Sequence, residues 1–282
     1  MKRILTALIA LPILIASIVL PYFFPRTVET KFLFVAIAGA ALVLGLYEFF
    51  SLTKKLELKA DAGLAFMGGA ALFIAFLFDA PTRFPDLLLL TLAAFVVLVL
   101  ASQMFRFQAD FSKMLAGAGA TIFGVLWIVF LGGFLVALRV KSEIYPHLST
   151  KLLFFFFLVS FGADAAALYT GKLVGKHKLA PKISPGKTWE GGAGALLAAL
   201  GLAALASLTF FPELKLAAAL PLAAAMCVFG VLGDLAESAI KRGAGAKDAA
   251  NILPGHGGLL DRLDSLLFNA PLLYYFARFY FE

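Results

Sequence analysis

Leu87–Phe105 reads LLLLTLAAFVVLVLASQMF, nineteen residues without a charge. The hydrocarbon core of a bilayer takes about 20 apolar residues of helix, so this stretch decides the solvent of the fold: it is lipid. Comparable runs recur, giving candidate spans at 4–24, 31–50, 62–79, 86–105, 114–138, 152–171, 191–211, 215–233 and 260–281. Over the whole chain 62% of residues are hydrophobic and 15% charged. A soluble domain covers itself with roughly 25% charged residues. A membrane β-barrel would show short alternating segments instead. The expected fold is an all-α polytopic integral membrane protein, with about nine transmembrane helices and polar cytoplasmic connections. Residues 1–150 form N-terminal transmembrane helices, and residues 151–282 form a C-terminal catalytic region carrying both polar motifs.

Lys2 and Arg3 before an apolar run imitate a signal peptide. That run continues to Phe24 without a small-x-small cleavage site, which fits a retained first helix better. Cys227 is the single cysteine, so no intrachain disulfide forms. With a cytoplasmic N-terminus, 16 of the 24 lysines and arginines fall on the inner side and 8 on the outer. That bias obeys the positive-inside rule and places the connections Lys172–Glu190 and Asp234–Gly258 in the cytoplasm. The net charge of +7 suits anionic headgroups or phosphorylated substrates. Nucleic acid is not expected as a partner, because the basic residues are spread over separate loops.

Chemistry concentrates at residues 233–265, GDLAESAIKRGAGAKDAANILPGHGGLLDRLDS. Ionisable groups are costly inside a bilayer and mark functional sites. If the eighth span continues as a helix, Asp234, Glu237, Ser238 and Lys241 share a face at i, i+3, i+4 and i+7. The Pro254-Gly255-His256-Gly257-Gly258 turn opens the last helix, where free amides and the helix dipole favour phosphate. Asp261, Asp264 and Ser265 then share a face, with Arg262 directed elsewhere. Carboxylate oxygens suit Mg²⁺, which takes one or two carboxylates plus substrate phosphates; three histidines in the chain do not suit zinc. His256 reads as a general base, a phosphate contact or a turn residue. Upstream, Asp164 is an ionisable residue in an apolar span, followed by a lysine-rich connection, GKLVGKHKLAPKISPGKTWE, at 171–190.

Ser238-x-x-Lys241-Arg242, then Lys247-Asp248, then Pro254-x-His256-Gly257-Gly258-x-x-Asp261-Arg262-x-Asp264 resembles the signature of the phosphatidate cytidylyltransferases, or CDP-diacylglycerol synthases. The 171–191 stretch is similar to bacterial members too. The resemblance covers about the last 120 residues and departs at Leu168, where an aromatic residue is common and Tyr169 follows instead. It implies the reaction of CTP with phosphatidate to give CDP-diacylglycerol and pyrophosphate, a dependence on divalent metal, a homodimer, and metal-binding roles for Asp234 and Asp261.

The expected mechanism is in-line attack of the lipid phosphate on the α-phosphorus of CTP at the cytoplasmic face of the inner membrane. The metal is Mg²⁺, one ion or a pair, on Asp234 and Asp261. Asp264 either joins them or orients Arg262. Lys241, Arg242, Lys247 and Arg262 are candidates for neutralising phosphate charge. Asp164, Lys178, Ser184, Lys187, Thr188, Ser238, Asp248, Gly257 and Gly258 complete the expected substrate pocket, and His256 is a catalytic candidate. The rival readings are a CTP-dependent cytidylyltransferase or kinase acting on an isoprenoid lipid, and a transporter lined by Asp164 and Asp234.

Overall fold

The computed structural model of the protein describes residues 2–24, 29–108, 111–140, 147–247 and 257–281. Every apolar run becomes helical. In order these are α1 (Lys2–Phe23), α2 (Glu29–Lys55), α3 (Ala62–Leu77), a short α4 (Ala80–Arg83), α5 (Pro85–Arg106), α6 (Met114–Gly124), α7 (Leu131–Val140), α8 (Leu148–Val174), α9 (Trp189–Leu208), α10 (Leu216–Gly243) and α11 (Leu260–Phe281). A π-helical segment, Val125–Phe130, joins α6 to α7. Among the described residues, six helical stretches are long and apolar enough to cross a membrane, and the apolar helices Ala10–Phe23 and Ala62–Leu77 are shorter. Six of the nine expected spans therefore meet that test, and the all-α, multi-pass class holds. On α5 the side chains of Leu89, Leu90, Val97 and Leu98 are each more than half exposed, as a lipid-facing side should be.

The backbone explains several contacts that pattern alone does not. Pro21 has no N–H and leaves the carbonyl of Ser17, four residues back, without its helical partner. The fully buried Arg139 of α7 donates to that carbonyl at 2.9 Å and to Ile18 O at 3.0 Å, with Thr150 Oγ1 at 3.0 Å on its other nitrogen. This ties α1 to α7 and α8. Helix α8 packs closely on α9. There a Cβ on Gly191 would stand 2.9 Å from Ala167 O, so only glycine lets the two backbones approach. Gly233 of α10 faces the backbone carbonyl of Asp264 in the same manner, which brings α10 against α11.

Two expectations need correction. The eighth span does not end near 233, because no proline or glycine interrupts DLAESAIKR, and α10 runs on to Gly243. The lysine-rich connection is not all loop. Lys178–Ala180 (β1) and Ser184–Thr188 (β2) form an antiparallel hairpin, with Lys178 opposite Thr188 and Ala180 opposite Ser184. Pro181 follows Ala180 in the turn, where Ile183 N donates to Ala180 O at 3.1 Å.

Candidate active site

The continuation of α10 projects Asp234, Glu237, Ser238 and Lys241 from one side, as the spacing requires. Lys241 Nζ lies 2.5 Å from Glu237 Oε2 and 2.5 Å from Asp261 Oδ1, so one ammonium links α10 to the first turn of α11. Glu237 is fully buried. Asp261 Oδ2 accepts the Gly258 N–H at 2.8 Å, reaching back three residues like the acid of a capping box. Gly257 before it has φ +80°, a left-handed conformation that glycine adopts without strain. Asp234 Oδ2 meets Lys187 Nζ at 2.7 Å, and its Oδ1 accepts from Ser238 Oγ at 3.3 Å. The hairpin delivers Lys187, and Thr188 caps α9 by accepting the Gly191 N–H at 3.1 Å.

Of these, Lys187, Thr188, Gly191, Asp234, Lys241 and Asp261 line one cleft of about 420 Å³ between α8, α9, α10, α11 and the hairpin. Asp164, Asp234, Asp261 and Asp264 line it together with Lys187, Lys241 and Arg262. Asp164, Asp234 and Asp264 are within electrostatic reach of one another, with Lys187 acting on both Asp164 and Asp264. Four acids against three bases leave the walls hungry for a cation. The oxygen donors fit a hard divalent ion that takes one or two carboxylates and completes its shell with phosphate and water. Among the described residues, no three His, Cys, Asp or Glu side chains gather closely enough to cage an ion unaided.

Several expected residues sit elsewhere. Arg262, off the Asp261–Asp264 face by helical spacing but expected among the phosphate-neutralising cations, does line the cleft and acts electrostatically on Asp164. Arg242 instead holds the hairpin to α10, donating from Nε to Ile183 O at 3.2 Å and from Nη1 to Ala246 O at 3.3 Å. Lys178 and Lys247 are exposed and Ser184 half-buried, all outside the cleft lining, as are Ser238, Gly257 and Gly258. Asp248 and His256 lie outside the described residues. At the point of departure from the family pattern, Leu168 faces the cleft, while Tyr169 is 67% exposed on the outer side.

Glu48 escaped the sequence reading. This fully buried residue of α2 accepts Leu259 N–H at 2.8 Å and Leu260 N–H at 2.7 Å, capping α11 from the N-terminal half of the chain. The signal was available, since Glu48 is an acid inside an apolar span, as Asp164 is. Glu190 also acts locally. Its carboxylate meets His177 Nδ1 at 2.6 Å and accepts the Lys176 N–H at 3.1 Å, fixing the base of the hairpin.

Comparison with known proteins identifies the family. The chain is 42% identical over 151 residues to the phosphatidate cytidylyltransferase of Haemophilus influenzae, covering 51% of each protein. It is 47% identical over 123 residues to that of Bacillus subtilis, covering 44% of this chain and 46% of the relative. The protein of the same name from Staphylococcus saprophyticus is 41% identical over 152 residues, 54% of this chain and 56% of its own. The matched segment thus spans about half the length of these relatives. The model of the cytidylyltransferase family, by contrast, matches residues 1–280, and the chain belongs to that family.

Proposed function

We propose that this protein is a phosphatidate cytidylyltransferase, converting CTP and phosphatidate to CDP-diacylglycerol and pyrophosphate. The carrying observation is the single cleft in which acids and cations from both polar segments meet between membrane helices. A lipid phosphate keeps its chains in the bilayer while its head enters such a cleft, and a nucleotide enters from the aqueous end.

An oxygen of the phosphatidate phosphate bonds to the α-phosphorus of CTP. The bond from that phosphorus to the oxygen bridging it to the β-phosphorus breaks, and its electron pair leaves with pyrophosphate. A phosphate nucleophile is already ionised near neutral pH, so no general base is required. The task left to the protein is to bring two anions together and to stabilise charge at the leaving oxygen. Lys187, Lys241 and Arg262 supply fixed positive charge for this. Asp234 and Asp261, with Asp264 beside them, would hold Mg²⁺, one ion or a pair, which would offset charge on the phosphate oxygens. Asp164 lines the pocket, and the Gly257–Gly258 turn orients Asp261 through the Gly258 amide. The protein resides in the cytoplasmic membrane with the cleft opening to the cytoplasm, which the 16-to-8 distribution of basic residues supports. It acts as a homodimer.

Purified protein given labelled CTP, phosphatidate and Mg²⁺ should release pyrophosphate and form a CDP-lipid, and chelation should abolish both. Asp261→Asn should stay folded and lose about 10²–10³-fold in turnover, the size of one electrostatic stabiliser. Full activity without divalent metal, or in Asp261→Asn, refutes the assigned roles. Preference for an isoprenoid phosphate over phosphatidate refutes the lipid assignment.

A further inference from the structure

The cleft changes character with depth. Asn269 lies five residues beyond Asp264 on α11, Met226 eight before Asp234 on α10, and Ser160 four before Asp164 on α8. At 1.5 Å per residue that is about 6–12 Å, one to two helical turns inward from the nearest charged side chains. All of these residues line the cleft. Its inner end carries no charged side chain of its own: Asn269 and Ser160 are its polar members, against walls formed by Val159, Met226 and Cys227, with Asp164 one helical turn nearer the mouth.

Asn269 is 1% exposed and Ser160 6% exposed. Neither Asn269 Oδ1 nor Ser160 Oγ has a hydrogen-bond partner among the described residues. Buried polar atoms are nearly always satisfied, so an orphaned pair lining a cavity marks a place for a ligand. Gly230 of the facing helix leaves room for the amide: a Cβ there would stand 3.3 Å from Asn269 Nδ2.

The donor and acceptor pattern selects between the two substrates. An unmatched carbonyl oxygen needs a donor. The glycerol-ester region of a diacyl lipid has oxygens but no N–H or O–H. Cytosine carries an exocyclic amine beside a ring-nitrogen acceptor, and its flat faces suit apolar walls. Uracil has a carbonyl where cytosine has the amine, so with the Asn269 amide turned to present its orphaned Oδ1 at that position it sets one acceptor against another.

We propose that Asn269, with the Ser160 hydroxyl, forms the floor subsite that binds the pyrimidine ring of the nucleotide and selects cytosine over uracil. This assignment rests on the nucleotidyl-transfer reading above and adds a specificity-determining residue to it. A site that hydrogen-bonds one ligand discriminates strongly against an analogue lacking the group, because its own buried atoms are then left unpaired.

The test compares CTP, UTP and N4,N4-dimethyl-CTP as substrates for the full-length protein in phosphatidate micelles. The wild-type protein should use the dimethyl analogue at least tenfold less well than CTP by kcat/KM. Asn269→Leu should lower the CTP-to-UTP ratio of kcat/KM at least tenfold while the KM for phosphatidate stays put; Ser160→Ala should shift the same ratio in the same direction. If Asn269→Leu does not fold, the dimethyl analogue on the unaltered protein still decides. Equal use of CTP and the dimethyl analogue overturns the subsite, as does an unchanged CTP-to-UTP ratio in a folded Asn269→Leu. A rise in the KM for phosphatidate alone overturns it in favour of the lipid. Absence of any CDP-lipid from the wild-type protein defeats the parent reaction instead.

Discussion

Lys241 shows how one residue can couple architecture to chemistry. Its ammonium sits between the fully buried Glu237 and the 12%-exposed Asp261 side chain. Removing one member of a buried charge group leaves the other uncompensated and costs about 3–5 kcal/mol. Lys241→Met should therefore lower the melting temperature in detergent sharply, and adding Glu237→Gln should recover much of the loss without restoring turnover. Equal melting of Lys241→Met and wild type would show that the ammonium is not structural. The sequence exposed part of this. The i, i+3, i+4, i+7 spacing put Asp234, Glu237, Ser238 and Lys241 on one face, because helical periodicity is local. It could not give the partner of Lys241 on another helix, because contacts between helices depend on packing that a local spacing does not encode.

At the scale of elements, helix starts carry much of the organisation. Asp61 caps α3: its Oδ1 accepts the Leu64 N–H at 3.0 Å and its Oδ2 accepts from Ser102 Oγ at 2.7 Å. Partial burial raises the pKa of this carboxyl, but the Leu64 amide, Ser102 and nearby Arg106 outweigh it and hold the group below its ordinary value of 3.8. A depressed folded-state pKa stabilises the protein above pH 3.8 and is lost as the pH falls through the folded value. Wild-type protein should lose melting temperature below pH 4 more steeply than Asp61→Asn, a neutral cap whose contribution does not titrate. Parallel curves would remove Asp61 from the acid response. The α3 cap could be read from Asp61 standing before an apolar run, whereas the β1–β2 hairpin could not. Its strands contain Pro185 and Gly186, carry no alternating apolar pattern, and owe their ends to the Glu190 clamp and the packing of Thr188.

For the whole molecule, the sequence made lipid the solvent and gave the direction of the charge bias, since both depend on composition summed over long stretches. It did not show how the two halves meet. The orientation is testable with a single thiol. In a Cys227→Ala background, Lys182→Cys at the hairpin turn should react with an impermeant maleimide in inverted membrane vesicles and remain unlabelled in intact spheroplasts. The opposite pattern would place the site on the outer face. The cap that Glu48 provides has a consequence for exchanging parts between relatives. A hybrid protein could retain every signature residue after 150 yet take its first helices from a donor without an acid at the equivalent of Glu48. Its last helix would then begin with two stranded amides, and its motif would be intact in print but set at the wrong height. Compatibility between the halves of such a hybrid therefore turns on a residue that the signature never mentions.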